Sequence, residues 1–161
     1  MTAPDGALPD AAARPGLIVV GVDGSQCSVA ALRWAAEEGT LRGAPVEVIL
    51  TWHLPAVAGM TPMMVPPDFD LQAESQATLD GIIRDQVGDP ADRPPQSPIT
   101  SRVVNASPAV ALLEAAHEAS VLVVGSRGHG GFAGLLIGSV SQHCVAHAPC
   151  PVVVVHAPDA Q

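Results

Sequence analysis

The sequence predicts a parallel, doubly wound α/β sandwich, and three observations predict it. Short apolar runs alternate with helical patterns five times along the chain. The first run is apolar on successive residues, as in a strand buried on both faces. Gly, Asp or Pro punctuates the segments between elements. Right-handed crossovers linking five such strands place helices on both faces of one sheet. Sheets of this kind bind ligands beyond the carboxyl ends of their strands, where strand order reverses.

Residues 1–16 hold five Ala, three Pro and two Asp and read as a disordered leader. Residues 17–22 form the first strand, which gives way to Gly21, Asp23 and Gly24. Ser25 caps the helix that follows, with an apolar face at Val29, Leu32 and Ala36. Gly39 and Gly43 loosen and end that helix. Val46–Trp52 is the second strand. Residues 54–68, rich in Pro and Met, are a loop long enough to be a lid or a mobile excursion. Leu71–Val87 resumes helical spacing through Leu71, Leu79, Ile82, Ile83 and Val87. After a Pro-rich stretch, residues 99–104 form a third, more exposed strand. Residues 107–119 form a helix with Pro108 in its first turn, where a missing N–H costs nothing. Residues 121–124 are the fourth strand, 125–138 a loop with six Gly, Ser139–His147 a short helix and Val152–Val155 the fifth strand. One domain over 17–157 with a short polar tail, 158–161, is the expected organisation.

Composition removes several function classes. The 161 residues weigh 16.3 kDa, enough for one self-sufficient core. The net charge is −9 with no basic block, which argues against nucleic acid or an anionic membrane as partner. No Lys occurs, so Schiff-base, pyridoxal-phosphate and Walker A lysine chemistry are excluded. Aromatics are 2% with no Tyr, which disfavours base-stacking platforms. No signal peptide is read and no stretch approaches the roughly 18 apolar residues of a membrane span. Cys27, Cys144 and Cys150 are odd in number and form no CxxC pair. They read as thiols of a reducing cytoplasm.

The loop over 125–138 is the strongest chemical signal. It leaves a buried strand and runs into a helix at Gly138-Ser139. Glycines allow close backbone approach and φ > 0, and successive N–H groups form an anion nest. A phosphate there meets unpaired N–H groups at the positive end of the helix. Ser139 and Ser141 offer hydroxyl donors and Arg127 a charged one. His129 either meets a phosphate or is solvated. Gly128-x-Gly130-x-x-Ala133 matches a loose dinucleotide fingerprint but follows the fourth strand instead of the first, with no acidic residue where one is needed. Ser126 has Val124 two places before it, so there is no nucleophile elbow. Asp23 ends the first strand and fits two roles equally: a ligand carboxylate, or a turn and cap residue. His143 and His147 share a helix face while Cys144 points elsewhere, so no metal site is expected. One Arg and one Asp are a thin set for phosphoryl transfer. At most a weak hydrolysis of a bound phosphate ligand is expected, with no catalytic residue assigned.

These residues resemble the universal stress protein family, in its single-domain actinobacterial form. The resemblance begins at Ile18-Val19-Val20-Gly21-Val22-Asp23-Gly24-Ser25 and continues through Ala31-Leu32-Arg33-Trp34-Ala35-Ala36. It closes with Gly125-x2-Gly128-x9-Gly138-Ser139 and the strand after Pro151, covering residues 16–157. It implies an adenine-nucleotide hydrolase-like fold with strand order 3-2-1-4-5. It also implies that ATP, with or without Mg²⁺, is bound by a regulatory stress-response protein. Val22, Asp23 and Ser25 then flank the nucleoside, and His53 borders the adenine. Gly125, Arg127, Gly128, Gly138, Ser139, Val140 and Ser141 hold the phosphates, with His129 inside the same loop. The resemblance further implies a homodimer through Val152–Val155. Other protein partners are unknown, and a nucleotide-free interaction module is the remaining alternative. Where family members often carry Gly before the Pro of the third helix, this chain has Ala106-Ser107-Pro108.

Overall fold

The computed structural model describes residues 16–52, 70–129 and 136–157. The leader, His53, the 54–68 loop, the middle of the glycine-rich loop (130–135) and the tail 158–161 lie outside the described residues.

Five strands, β1 (Ile18–Gly21), β2 (Val46–Trp52), β3 (Ile99–Asn105), β4 (Val121–Gly125) and β5 (Val152–Val155), form one sheet in the order β3-β2-β1-β4-β5. Every pairing is parallel. Ile18 stands opposite Val46 on one side and Val121 on the other, so β1 is the centre of the sheet. Buried and exposed positions do not alternate along β1. Ile18, Val19 and Val20 are all fully buried because both faces are covered. The chain moves outward from β1 through β2 to β3, then crosses back to β4. The reversal of strand order therefore falls between β1 and β4, as the doubly wound prediction requires.

Helices α1 (Gln26–Arg42) and α2 (Leu71–Val87) cover one face. Their core joins Leu32, Ala35, Leu79 and Ile83 to Ile18, Val20, Val46 and Val48. Helices α3 (Pro108–Ala116) and α4 (Ser139–His147) cover the other, where Leu112, Ala116 and Cys144 pack on Val19, Ile49, Leu122 and Val124. The two cores read opposite parities of the same strands, which is the physical content of a strand buried twice.

Several boundaries differ from expectation, each for a visible reason. The buried stripe of α1 runs through Cys27, Ala31, Leu32, Ala35, Ala36 and Gly39, and Val29 is only half-buried. An Ala-rich helix can bury either of two neighbouring faces, and close packing chose the smaller one. Gly39 does not loosen α1. A Cβ there would stand 2.6 Å from Val46 Cγ2, so glycine lets the helix touch β2. Gly43 does end the helix, in the left-handed region at φ 62°, with its N–H on the Gly39 and Thr40 carbonyls. α3 stops at Ala116 instead of 119. The N–H groups of 117–119 tighten onto carbonyls three residues back, and that of Ser120 turns to Leu17 at 2.8 Å to launch β4. β1 proper ends at Gly21, although the Val22 N–H still bonds the Ile49 carbonyl at 2.9 Å.

Candidate functional site

A cavity of about 550 Å³ opens at the carboxyl ends of β1, β2 and β4, on the side covered by α3 and α4. This is the crevice at the strand-order reversal. Its apolar wall comes from Val22, Ile49, Val124, Pro108 and Leu112, and its polar rim from Asp23, Thr51, Arg127, Ser139 and the backbone of the glycine-rich segment. A volume of that size and this apolar lining with a few convergent polar groups are what a small organic ligand requires.

The first side of the rim is the β1–α1 turn. Ser25 caps α1 by accepting the Ser28 N–H at 3.3 Å. The Ser28 hydroxyl donates to the Ser25 carbonyl at 2.9 Å and accepts the Asp23 N–H at 3.3 Å. Asp23 Oδ1 accepts the Ser25 N–H at 2.9 Å, and its Oδ2 accepts the His129 N–H at 3.3 Å. Gly24 takes φ +82°, a conformation that side chains resist. Partial burial pushes the Asp23 carboxyl up. The hydrogen bonds from Ser25, from Ser28 and from the His129 backbone outweigh it and hold the group below its ordinary value of 3.8. Asp23 is therefore an ionised carboxylate at the cavity rim. It serves the turn and lines the cavity at once, so the two sequence readings are not exclusive.

The second side runs from β4 into α4. Gly138 is the N-cap of α4 and supplies no side-chain bond. Its own N–H closes on the Ser126 carbonyl at 2.6 Å. Among the described residues nothing accepts from the N–H groups of Ser139, Val140 and Ser141. That turn faces the cavity with the positive end of the helix. Ser139 is exposed, whereas the Ser141 hydroxyl, expected as a ligand donor, is spent on the Gly125 carbonyl at 2.6 Å. Ser141 contributes its backbone N–H only.

The glycines do other work than the motif suggests. None of Gly125, Gly128 or Gly138 has positive φ. A Cβ at Gly125 would stand 2.7 Å from Cys27 C and Ser28 N, so Gly125 lets β4 pass under the start of α1. A Cβ at Gly128 would meet Asp23 Oδ2 at 2.5 Å. At Gly138 a Cβ would find only ordinary contacts of 3.5 Å or more. The Cys27 thiol lies behind Gly125. Burial pushes it up, but the Ser126 hydroxyl, backbone N–H groups and the Arg127 charge bring it below its ordinary value. Cys144, sealed in the core, is pushed up to about 11 by burial.

Of the residues expected at the site, Val22, Asp23, Gly125, Arg127, Gly128, His129, Gly138, Ser139, Val140 and Ser141 line this one cavity. Ser25 does not. It stands behind the wall, capping α1 and donating to the Arg127 carbonyl at 3.3 Å. His53 lies outside the described residues. Gly21, Ser28, Ile49, Thr51, Pro108, Leu112 and Val124 also line the cavity and were missed. Ile49 and Thr51 share one parity of β2, so the strand pattern held the signal. Of the segment Ala106-Ser107-Pro108, Pro108 lines the cavity. His143 and His147 do share a face, with ring centroids 4.5 Å apart. Among the described residues no three His, Cys, Asp or Glu converge as metal ligands. No helix among them is long and apolar enough to cross a membrane.

The model of the universal stress protein family matches residues 16–156. The chain belongs to the universal stress protein family. Relatives of this family include the universal stress protein Rv2005c of Mycobacterium tuberculosis, 36% identical over 148 residues. That match covers 89% of this chain and 48% of the relative. A universal stress protein of Mycolicibacterium smegmatis is 33% identical over 138 residues, covering 86% of this chain and 45% of the relative. The chain thus spans about half the length of the curated relatives it matches. Among solved structures, a universal stress protein in complex with cAMP is 27% identical at TM-score 0.63, covering 89% of this chain and 98% of its own. The Archaeoglobus fulgidus universal stress protein in complex with dAMP is 27% identical at TM-score 0.53, with 87% and 97% covered. These universal stress proteins share the α/β fold of this chain.

Proposed function

We propose that this chain binds an adenine nucleotide, ATP with or without Mg²⁺, in the cavity between β1 and β4. Nucleotide occupancy would make it a regulatory binding protein of the stress response. The observation that carries the reading is the open N-terminus of α4. Three backbone N–H groups, the Ser139 hydroxyl and Arg127 converge on a cavity whose opposite wall is apolar. That donor set fits phosphate oxygens, and the wall of Val22, Ile49 and Leu112 fits an aromatic base. Two family structures were solved with cAMP and dAMP, which supports the adenine class. Asp23, the one carboxylate among the described lining residues, suits a ribose hydroxyl and disfavours close phosphate. By the family resemblance, His53 would border the base. The reading includes a unit spanning 17–157, a cytoplasmic location and no dedicated catalytic group.

It also includes a homodimer through β5. That strand is a sheet edge whose four valines are all half-exposed, an open pairing surface that proteins rarely leave bare. Light scattering on the purified chain should return twice the chain mass, and a monomer would remove this part.

The test of the main reading begins with protein purified without added nucleotide. It is denatured and filtered, and any released small molecule is identified by chromatography and mass. Titration calorimetry with ATP, ADP and cAMP follows on emptied protein. Stoichiometric ATP, or saturable binding near micromolar Kd, supports the proposal. No adenine compound released and no heat at millimolar ATP would overturn it. ADP accumulating faster than in a protein-free blank would instead favour a slow ATPase.

A further inference from the structure

Two segments far apart in the chain meet at the rim of the cavity, and one carboxylate joins them. Asp23 Oδ1 holds the Ser25 N–H at 2.9 Å and so fixes the β1–α1 turn. Its other oxygen holds the His129 N–H at 3.3 Å. Gly128 lies flat against that same oxygen, with no room for a Cβ. The His129 ring settles over Gly24, with Nε2 3.7 Å from where a Cβ would be. The Ser25 hydroxyl reaches the Arg127 carbonyl at 3.3 Å. Three consecutive residues, 127, 128 and 129, therefore each land on the turn at 23–25.

We propose that Asp23 is a positioning residue: its carboxylate clasps Gly128 and His129 to the β1–α1 turn and sets residues 127–129 in place before any ligand arrives. Gly128 is then demanded by Asp23 and not by the ligand. The clasp needs two acceptor oxygens sharing one carboxylate charge, because it serves two N–H donors that point from different segments. A segment ordered in advance does not have to be ordered at binding, so the clasp raises affinity without touching the ligand. This deepens the nucleotide reading and rests on it only for that effect on affinity.

The experiment is residue-resolved amide hydrogen exchange on the nucleotide-free protein. Wild type is compared with Asp23→Asn, Asp23→Ala, Gly128→Ala and the Asp23→Ala, Gly128→Ala double variant. Asn is isosteric but offers a single acceptor, so Asp23→Asn should speed exchange of the His129 amide by about tenfold or more, with α2 and β3 unchanged. Gly128→Ala should do the same by displacing the carboxylate. In the double variant the added methyl meets no oxygen. Its exchange at His129 should equal that of Asp23→Ala alone, a non-additive result. Unchanged exchange in Asp23→Asn would overturn the clasp, even with ATP binding weakened, since Asp23 would then act on ligand alone. Additive effects in the double variant would overturn the claim on Gly128. A clasp seen in exchange together with no ATP binding would sink the nucleotide reading and leave the clasp standing. Asp23→Asn supplies the decisive readout if the alanine variants fail to fold.

Discussion

The two junctions that meet at the cavity have the same plan and opposite chemistry. Each leaves a buried parallel strand at a glycine, Gly21 or Gly125, and enters a helix on the sheet face. The first is short and closed upon itself. Asp23, Ser25 and Ser28 satisfy the turn and cap α1 with their own side chains. The second is long and rich in glycine, and among the described residues no side chain sits on the first N–H groups of α4. A doubly wound sheet needs both helices to be anchored, and the first junction shows how the chain does that with serine and aspartate. The open end of α4 is therefore no consequence of the fold. It is a choice of residues, and the residues chosen leave three backbone N–H groups open to the cavity among the described residues.

Making the second junction resemble the first should have the largest effect. Gly138 has φ −72° and ψ 162°, ordinary values for a capping side chain, and a Cβ there meets nothing closer than 3.5 Å. Gly138→Asp should cap α4 and raise stability by about 0.5 kcal/mol. The same carboxylate would occupy the N–H groups and repel phosphate. Losing hydrogen bonds to a charged group costs about 3 kcal/mol, so affinity for ATP should fall about 100-fold. Denaturant unfolding and calorimetry would read the two effects. Retained affinity would mean that phosphate does not sit at α4.

Next comes the point where the junctions touch. Gly125→Ala forces a methyl to within 2.7 Å of the α1 backbone at Cys27 and Ser28. Backbone cannot rotate aside as a side chain can. The cost should be about 2 kcal/mol in urea unfolding, with the spectrum of a folded protein retained below the transition. A neutral result would show that α1 is free to move off β4.

This substitution also shows what could be read from the sequence. The alternation of elements announced the sheet, and the spacing Gly125-x2-Gly128-x9-Gly138-Ser139 marked the segment that lines the cavity. The reasons for the glycines were hidden. Two of them answer to residues near position 25, far earlier in the chain, and only the β1–β4 pairing brings those together. Ser141 was misread for the same cause: its hydroxyl finds the Gly125 carbonyl only once α4 docks. Ile49 and Thr51 were legible in principle from the parity of β2. Leu112 was not, because nothing local says which face of α3 overlooks the crevice.

A smaller contrast separates the two serines at the helix starts. Ser25→Ala removes a cap and the bond to the Arg127 carbonyl, and should cost about 1 kcal/mol of stability. Ser139→Ala removes an exposed hydroxyl with no partner among the described residues, so stability should stay within about 0.5 kcal/mol. Its effect should appear in ATP affinity, as a several-fold loss, where one hydrogen bond to a charged oxygen is missing. Ser25→Ala should weaken binding less than it weakens folding. The reverse ranking would exchange the roles assigned to the two junctions.

The smallest effect concerns acid, and it also divides the junctions. The first depends on an ionised carboxylate, whereas the second, among the described residues, is held by backbone groups and by the neutral side chains of Ser141 and Gln142. The folded Asp23 carboxyl lies below its ordinary value of 3.8 because hydrogen bonds favour the charged form over the cost of partial burial. A depressed acid contributes its stability above the unfolded value and loses it as pH falls through the folded one. The contact from the His129 N–H to Asp23 should thus persist unchanged from about pH 8 to about pH 5 and weaken only below 3.8. The exchange rate of the His129 amide, corrected for its intrinsic pH dependence, would follow it. Protection lost already near pH 5 would mean that the carboxyl is not held by these donors. The Gly138 N–H on the Ser126 carbonyl supplies the internal control, since neither group titrates in that range.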